Sequence, residues 1–425
     1  MEEVVSGEGA AGAEGSWDLV IEGARLLDGD GSVEIAVKAG KIAAFVPWVE
    51  GDAARRVEAR GGLVTPSFTE PHFHLDKCLS RDLLGATKPS EAFARAREVK
   101  SQFTVEDVEE RASKALALAI ANGIGHLRAM VDVDFATKLI SLEGVLRARE
   151  RYGHAIEVEI AAFPQEGIVT DPEAPALLKT ALEMGADLLG GLPEFENSLE
   201  DQQSHIDTLF DIAEAEGVAI DIHCDYMDDP KLKTLEMLVD TMVTRRFEHG
   251  VIANHCNALA LYPDDEAKRV IDKVKNAGID VVVLPVANLQ MLGGAKRTPY
   301  NRGSSRVKEL LDAGVNVAAG SDNMYDIWYR FNRMDPLELA FITCLSAGMK
   351  TDVEVQTAFE MVTSRAARAV GRKAGEMRVG APADLVIHEP ATLVDLIRNP
   401  PGRRLHLKGG KEVGGLEGSH WAAEG

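Results

Sequence analysis

Cysteine is scarce in this sequence, and the placement of the few cysteines excludes two kinds of stabilising framework. The 425 residues include four cysteines, which are Cys78, Cys224, Cys256 and Cys344, and no two of them form a C-x-x-C pair. A disulfide-rich fold and a structural zinc module both need closely spaced cysteines, so neither is expected. We predict four free thiols.

Long apolar runs and an excess of positive charge are also missing. No stretch approaches the roughly 18 apolar residues that span a bilayer, so no membrane anchor is expected. Lys and Arg number 46 against 68 Asp and Glu, which gives a formal net charge of −22. This charge repels phosphate backbones and anionic lipids. We therefore expect neither nucleic acid nor membrane as a partner, and a neutral or cationic small molecule suits the charge better.

The first residues, MEEVVSGEGAAGAEGS, lack the basic start and apolar core of a signal peptide. We expect residues 1–16 to form a flexible acidic tail, residues 416–425 to form a second tail, and the protein to be cytoplasmic. Nothing in the sequence determines a number of subunits, so a homo-oligomer stays open.

Strand-like apolar runs alternate with helical patterns through most of the chain. One helical pattern begins after Thr104, a plausible N-cap, and ends at Gly123. Apolar strands separated by helices are typical of a parallel sheet covered on both faces, and eight such units predict an α/β fold, a closed (β/α)₈ TIM-like barrel. An open doubly wound sheet is the alternative, but no G-x-G-x-x-G loop follows an early strand. The eight predicted strands are 62–68, 125–133, 156–164, 186–193, 218–225, 250–256, 279–285 and 315–322.

Both ends of the chain have a different pattern, with short alternating strands and turns. We expect residues 17–65 and 372–415 to form one small β-sandwich domain beside a barrel of residues 66–371. Two unrelated terminal hairpins are the alternative that the pattern leaves open.

Residue types that bind metals stand at or just beyond the ends of four predicted strands. In a barrel, functional groups come from the C-terminal ends of the strands. Alternation along a strand puts His72 and His74 on one face, so both imidazoles can point into the mouth of the barrel. The candidate ligands are His72, His74, His223, His255 and Asp322, while the other histidines fall elsewhere and are expected to be structural or exposed.

Four segments in this order resemble the amidohydrolase superfamily: PHFHLDK (71–77), IDIHCD (220–225), ANHCNA (253–258) and GSDN (320–323). Within that superfamily, the sequence resembles the cytosine-deaminase-like branch more closely. The segments that carry this resemblance are FPQEGI (163–168), PVANLQ (285–290), NRGSSRVKELLDAGVNV (301–317) and SDNMYDIW (321–328). The resemblance covers about residues 17 to 412, and the order of the motifs makes it specific.

This resemblance implies that His72, His74, His223 and Asp322 hold one divalent metal ion, zinc or iron. Three imidazoles and one carboxylate leave a position for water and lower the pKa of that water toward neutrality. Asp322 could then take the proton of the water. No lysine stands at the end of strand four, so a binuclear centre bridged by a carbamylated lysine is not expected. Glu194 at that strand end could bridge a second metal, but we expect it to be an exposed loop carboxylate.

The resemblance also implies roles around the substrate. His255 would stand beside the attacking water and stabilise the charge that develops on the attacked carbon. Gln165 would hydrogen-bond an amide-like edge of the substrate, and Trp328 would line the pocket against the ring. The alternatives are a Gln165 amide that caps its own loop and a Trp328 that only packs in the core.

The sequence departs from cytosine deaminases around the reacting group. Those enzymes carry a glutamate three residues after the strand-five histidine, where this chain has Tyr226, a poor proton acceptor at pH 7. Asn323 stands where those enzymes are expected to have an aspartate, and Ala129-Met130 stands where relatives often have Thr-His. Tyr226 and Asn323 are expected to contact substrate. Asp225 would share a strand face with His223 and replace the glutamate as acid/base.

These departures argue against cytosine itself as the substrate. The similar isopropylammelide amidohydrolases also lack that glutamate and have the SDN form. The main prediction is a metal-dependent hydrolase acting on a non-peptide carbon–nitrogen bond of a small cyclic amide, amidine or amino-heterocycle. The alternatives are cleavage of an N-alkyl amine, carbamate, thiocarbamate or lactam without deamination, and an inert, metal-free, ligand-binding barrel.

Overall fold

A computed structural model describes residues 16–29, 31–85, 89–292, 305–373, 375–399 and 404–416, with the backbone alone for residues 89–94. The predicted tails lie outside this range except for Ser16 and Leu416, and Leu416 is the last residue of a strand. Residues 301–304 of the longest motif also lie outside it. None of the helices within these ranges is both long and apolar enough to cross a bilayer.

The described strands, in chain order, are β1 (Leu19–Arg25), β2 (Ser32–Lys38), β3 (Lys41–Val46), β4 (Arg56–Glu58), β5 (Val64–Pro66), β6 (Phe68–Phe73), β7 (Ile124–Asp132), β8 (Glu157–Phe163), β9 (Leu188–Gly191), β10 (Ile220–Cys224), β11 (Val251–His255), β12 (Asp280–Val283), β13 (Val317–Ala319), β14 (Leu385–His388), β15 (Arg404–Lys408) and β16 (Lys411–Leu416).

The described helices are α1 (Pro89–Lys100), α2 (Val105–Ala121), α3 (Ile140–Tyr152), α4 (Ala174–Met184), α5 (Leu199–Glu216), α6 (Thr234–Arg245), α7 (Asp264–Ala277), α8 (Pro285–Met291), α9 (Val307–Asp312), α10 (Pro336–Ala347), α11 (Asp352–Glu360), α12 (Ser364–Ala369) and α13 (Leu393–Arg398). The predicted N-cap of α2 is confirmed, because the Thr104 side chain accepts a hydrogen bond from the Asp107 amide.

Strands β6 to β13 form one eight-stranded parallel sheet in sequence order, with helices between successive strands. The sheet curls until the segment that follows its last strand meets its first strand, where Phe73 pairs with Asp322. The strands are almost wholly buried, since helices cover them outside and side chains fill them inside. The predicted (β/α)₈ barrel is confirmed.

The two ends of the chain meet in a small domain of two four-stranded sheets, ordered β3-β2-β1-β4 and β16-β15-β14-β5. The sheets share one apolar core, to which Ile21 and Ile35 contribute from the first and Leu385 and Leu407 from the second. The predicted sandwich is confirmed, and the alternative of two unrelated hairpins is wrong.

The prediction that residues 62–68 form a single barrel strand is wrong. Its residues 64–66 form β5, which pairs with β14 in the small domain, and the barrel strand begins at Phe68. The predicted boundary between residues 65 and 66 therefore falls inside β5. The run is apolar throughout because both β5 and the start of β6 are buried, and apolar content alone does not separate two consecutive buried strands.

Candidate active site

Asp322 reaches the first barrel strand because the barrel closes at this residue. Its amide donates to the His72 carbonyl (2.9 Å), and its carbonyl accepts from the His74 amide (2.7 Å). Its φ of +66° is a strained conformation for a residue other than glycine, of the kind that clusters at functional sites. The buried carboxyl of Glu70 accepts from the amides of Ser321 and His72, and burial raises the pKa of Glu70 to about 7.

Gly320, directly after β13, allows this segment to approach β6 closely. A Cβ placed on Gly320 would lie 3.1 Å from both Glu70 Oε1 and His72 Cβ and 2.9 Å from Leu284 Cδ2. Real side chains seldom tolerate such contacts in a packed interior. The glycine of the GSDN segment thus makes room for the closure that places Asp322.

The structure brings the four predicted ligands to one point. One ligand atom from each of His72, His74, His223 and Asp322 lies within 4.8 Å of every other. Asp322 Oδ1 is 3.5 Å from His72 Nε2 and 3.4 Å from His74 Nε2. Ligands about 2.1 Å from one tetrahedral ion lie about 3.4 Å from each other, so these spacings fit a shared cation.

The electrostatic state of the four residues also fits a metal. Both ring nitrogens of His72 and the Nδ1 atoms of His74 and His223 are buried, with no hydrogen-bond partner among the described residues. Burial lowers the pKa of His74 to about 3 and the pKa of His223 well below its usual value, so the rings are neutral. Burial raises the pKa of Asp322, but the adjacent rings of His72 and His74 outweigh it and keep the pKa well below the usual range. Neutral imidazoles beside a carboxylate are the donor set that zinc and iron accept.

His255 lies against the same cluster in a defined tautomer. Its ring centroid is 4.8 Å from that of His223. Its Nδ1 is 3.3 Å from Oδ1 of Asn288, whose amide is oriented because its Nδ2 donates to Asn257. Nδ1 therefore carries the proton, and the buried Nε2 has no partner among the described residues. Burial lowers the pKa of His255 to about 4, so Nε2 presents a lone pair.

Lys77 is a pocket residue whose role sequence reasoning missed. It is fully buried, forms an ion pair with Asp132, and donates to Gln165 Oε1 at 3.1 Å. Its Nζ lies 5.3 Å from the centre of the Phe163 ring and 5.4 Å from that of Trp328. The signal was present as the last residue of PHFHLDK, but a lysine near a strand end is usually exposed.

A second group of possible ligands lies beside the first, and the cations around it argue against a second metal. His74, Asp76 and Asp132 also offer atoms within 4.8 Å of one another. Asp132 already pairs with the two buried cations Lys77 and Lys100, the latter at 2.7 Å. These ammonium groups occupy the place of a further cation.

Two of the predicted pocket residues, Asn323 and Trp328, are placed by one loop after β13. Asp326 accepts from the amides of Trp328 (2.9 Å) and Tyr329 (2.8 Å) and from the Asn323 side chain. Burial raises the pKa of Asp326 to about 7. The pocket itself is lined by His74, Lys77, Gln165, Leu192, Phe195, His223, Tyr226, His255, Asp322, Asn323, Trp328 and Tyr329.

Tyr226 lines the pocket but is not arranged as a proton shuttle. Its hydroxyl is 2.9 Å from the Tyr329 hydroxyl and 3.1 Å from the Met291 sulfur, and its ring lies 4.5 Å from the His255 ring. Burial raises the pKa of Tyr226 further above its usual value. The position that carries a glutamate in cytosine deaminases thus holds a neutral hydroxyl pair.

Asp225 does not reach the pocket, so its expected position on the His223 face is wrong. Strand β10 ends one residue earlier, and the φ of Asp225 is +48°, which breaks the period-two alternation. The carboxyl accepts from the Tyr262 hydroxyl (2.7 Å) and the Leu235 amide (3.2 Å), outside the pocket lining. Its contacts hold the loop after β10 against α6.

The expectation that Glu194 is an exposed carboxylate is also wrong. The residue is partly buried and accepts from the Tyr226 amide (2.7 Å) and the Thr234 hydroxyl (2.9 Å). Burial, followed by the nearby charge of Asp225, raises the pKa of Glu194 to about 8. Glu194 therefore joins the loops after β9 and β10 and positions the backbone of Tyr226.

Glu196 supports the loop that carries Gln165. Its carboxylate accepts from the amides of Ile168, Val169 and Thr170 and from the Nδ1 proton of His205. Burial raises its pKa, but hydrogen bonds, first from His205 and then from the loop, outweigh this and lower it to about 2.

Replacing Glu196 with glutamine is expected to lower the free energy of unfolding at pH 7 by about 2–3 kcal/mol. A lowered carboxyl pKa stabilises the fold above the unfolded pKa of about 4.3, and this stabilisation is lost as the pH falls through about 2. Urea unfolding measured from pH 7 to pH 3 should show that the difference in free energy of unfolding between the wild type and Glu196→Gln becomes smaller as the pH falls. Glu200→Gln, an exposed position on α5, is the control, and an equal difference at every pH would contradict the prediction.

Comparison with known proteins identifies the family of this site. The amidohydrolase family model matches residues 55–413. The chain belongs to the amidohydrolase family. It is therefore a hydrolase acting on carbon–nitrogen bonds other than peptide bonds, and members of this family depend on metal ions.

Individual amidohydrolases match along most of their length. The chain is 31% identical to a pterin deaminase of Rhizobium rhizogenes, over 84% of this chain and 82% of the relative. It is 27% identical to an N-isopropylammelide isopropyl amidohydrolase of Pseudomonas sp., over 87% and 91%. A 5-methylcytosine deaminase from Klebsiella pneumoniae, liganded with phosphonocytosine, superposes with a TM-score of 0.87 at 29% identity, covering 95% of this chain and 100% of that structure.

Proposed function

We propose that this amidohydrolase uses one divalent ion, zinc or iron, to hydrolyse an exocyclic carbon–nitrogen bond of a small oxo- or amino-heterocycle. The observation that carries the proposal is the convergence of His72, His74, His223 and Asp322 within 4.8 Å at the floor of the pocket. Its relatives act on pterin, 5-methylcytosine and N-isopropylammelide rings, according to their names. The sequence-based alternatives of carbamate, thiocarbamate or lactam cleavage and of an inert barrel are not favoured, while amine release from an N-alkylated ring falls within this proposal.

The ion would be held by these four residues, and when bound it supplies Lewis acidity that makes water nucleophilic at neutral pH. The remaining chemistry belongs to the side chains around it. His255 presents a buried, unprotonated Nε2 and is not one of the four clustered ligand atoms, so its lone pair is left to act as the base.

In this proposal His255 takes a proton from the attacking water, and the oxygen bonds to the ring carbon. The imidazolium of His255 then stabilises the negative charge on the addition intermediate. The proton passes to the leaving nitrogen, the carbon–nitrogen bond breaks, and ammonia or an amine departs while the ring gains a hydroxyl group, whose proton then moves to a ring nitrogen to give the oxo tautomer. Atoms and charges balance without a further reactant.

The neutral Tyr226 supports a substrate other than cytosine. Within the described pocket lining, Asp322 is the one carboxylate, so a glutamate that would protonate a ring nitrogen is missing. A ring that is already activated by several electron-withdrawing atoms needs less protonation. Trp328, whose ring lines the pocket, would pack against such a ring.

A substrate panel tests the proposal. The metal-loaded protein would be incubated with cytosine, 5-methylcytosine, pterin, N-isopropylammelide, creatinine and a purine, and ammonia and amine would be measured beside the ring product. We expect stoichiometric release from at least one ring and none from the His74→Ala variant. Hydrolysis that is unchanged in His74→Ala, or no hydrolysis of any ring by fully loaded protein, would contradict it. A cytoplasmic location and a homo-oligomer stay predictions, for fractionation and sedimentation to check.

A further inference from the structure

Lys77 and Gln165 line the pocket together with ligand residues, and the direction of the hydrogen bond between them is determined. Lys77 Nζ has three hydrogens and no lone pair, so it can only donate. It is 3.1 Å from Oε1 of Gln165, and both residues line the pocket. The carbonyl oxygen of the Gln165 side chain must therefore face Lys77. The NH₂ group of Gln165 can then donate a hydrogen bond to a ligand in the pocket.

Lys77 has a further donor to offer as well. Asp132 and Gln165 account for two of its three Nζ hydrogens among the described residues. Asp132 also pairs with Lys100 at 2.7 Å, and Lys100 has the carboxylates of Asp134 and Glu166 as further partners. A ligand beside this pair would meet hydrogen-bond donors from both Lys77 and Gln165.

We infer that the substrate binds this pair through a ring edge with two adjacent acceptors and no N–H, a carbonyl oxygen beside an unprotonated ring nitrogen. The anion of a cyclic imide and an oxo-azine both have this edge. An N–H on the edge would face another donor and leave buried donors unpaired, which is costly. The inference rests on the proposed function, because it takes this pocket as the substrate site.

This assignment adds an anionic ring edge to the neutral or cationic small molecules that the net charge favours. The expectation of such molecules came from the net charge of −22, which acts over long range and is screened by salt. The buried ammonium of Lys77 is within the pocket and is screened much less. The local charge decides which ring edge binds.

The test uses uracil and 5-fluorouracil as probes of the metal-loaded protein. The two rings are nearly the same size, but the electron-withdrawing fluorine makes the ring N–H more acidic, so more of the second probe has the acceptor–acceptor edge. Calorimetry at pH 7.5 should give a dissociation constant about 10-fold lower for 5-fluorouracil with the wild-type protein, the scale of a charged hydrogen bond. Neither probe carries an amine to hydrolyse, so binding is measured apart from turnover.

Two variants make the test specific. Lys77→Met should bring the two dissociation constants within about 2-fold of each other, because the charge that selects the anion is gone. Gln165→Glu has the same shape and keeps a partner for Lys77, so it remains informative if Lys77→Met does not fold. It has no donor and repels an anionic edge, and it should weaken 5-fluorouracil binding by about 10-fold or more.

An unchanged preference in Gln165→Glu, equal affinities in the wild type, or no binding of either probe would overturn the inference. Those results leave the proposed hydrolysis to be judged by the substrate panel. Conversely, selective binding in a protein that hydrolyses no ring would support the acceptor edge and contradict the proposed reaction.

Discussion

Replacing His223 with alanine is expected to reduce kcat/KM by at least about 10³-fold and to remove the metal, because one of three imidazole ligands is lost. His223 contributes one of the four converging ligand atoms, and its neutral ring is buried against His72 at a centroid distance of 4.7 Å. A cavity at this point would admit water but not replace the imidazole nitrogen. The content of zinc or iron, measured by elemental analysis after dialysis, should fall from about one equivalent per chain to below about one tenth of an equivalent.

His126→Ala is the matched control for this experiment. His126 is also a buried histidine on a barrel strand, but it stands at the beginning of β7, at the other end of the barrel from the cluster. Its variant should keep the metal and most of the activity, even if the protein unfolds at a lower temperature. Equal metal loss in both variants would show that destabilisation, not ligation, explains the result. Full metal content in His223→Ala would contradict the proposed ligand set.

The second large effect is expected at His255, and it should separate catalysis from metal binding. His255→Gln keeps a polar side chain but cannot take a proton, so kcat should fall by about 10²–10⁴-fold, the range of a lost general base. The metal content should stay at the wild-type value, because His255 is not among the four clustered ligand atoms. KM should change little, since the proposed role is realised in the transition state.

Asn288 provides a graded test of the same role. Its Oδ1 holds the Nδ1 proton of His255, which leaves Nε2 as the base. Asn288→Ala should lower kcat by less than His255→Gln while the metal content is unchanged, because the ring remains but its tautomer is no longer selected. Loss of metal in His255→Gln, or a full kcat in that variant, would contradict the assignment of His255 as the base.

The histidine positions show how much of the site follows from local pattern. His72 lies in β6 and His74 directly follows that strand, while His223 and His255 lie at the ends of β10 and β11. Parallel strands of a barrel end at one rim, so residues at those ends converge without knowledge of any long-range contact. The structure brings these side chains together for that reason.

Asp322 and Asp225, which lie beyond the ends of β13 and β10, could not be placed by the strand pattern. Asp322 lies three residues past β13 and reaches the cluster through hydrogen bonds to the backbone of β6. Asp225 lies one residue past β10 and turns away from the pocket at a φ of +48°. Alternation along a strand applies only while the residues remain in the strand, so extending it to Asp225 failed. For Asp322, the family resemblance supplied what alternation could not.

Buried charged residues were the least predictable part of the site. Lys77, Glu194 and Glu196 belong to residue types that are mostly exposed, and their partners are distant in sequence. Lys77 pairs with Asp132, which is 55 residues away, and Glu196 binds a loop about 27 residues before it. A side chain that looks solvated in the sequence becomes a support for the pocket only when such a partner meets it.

The amino-acid sequence by itself determined the barrel, the small two-sheet domain and the rim at which the metal-binding residue types stand. These follow from hydrophobic periodicity and from residue order, which act over a few neighbouring positions. The tertiary structure alone decided the direction of Asp322 and Asp225, the burial of Lys77 and the orientation of the Gln165 amide. Those depend on contacts between segments far apart in the chain, where burial and hydrogen-bond direction are settled by the partner and not by the residue type.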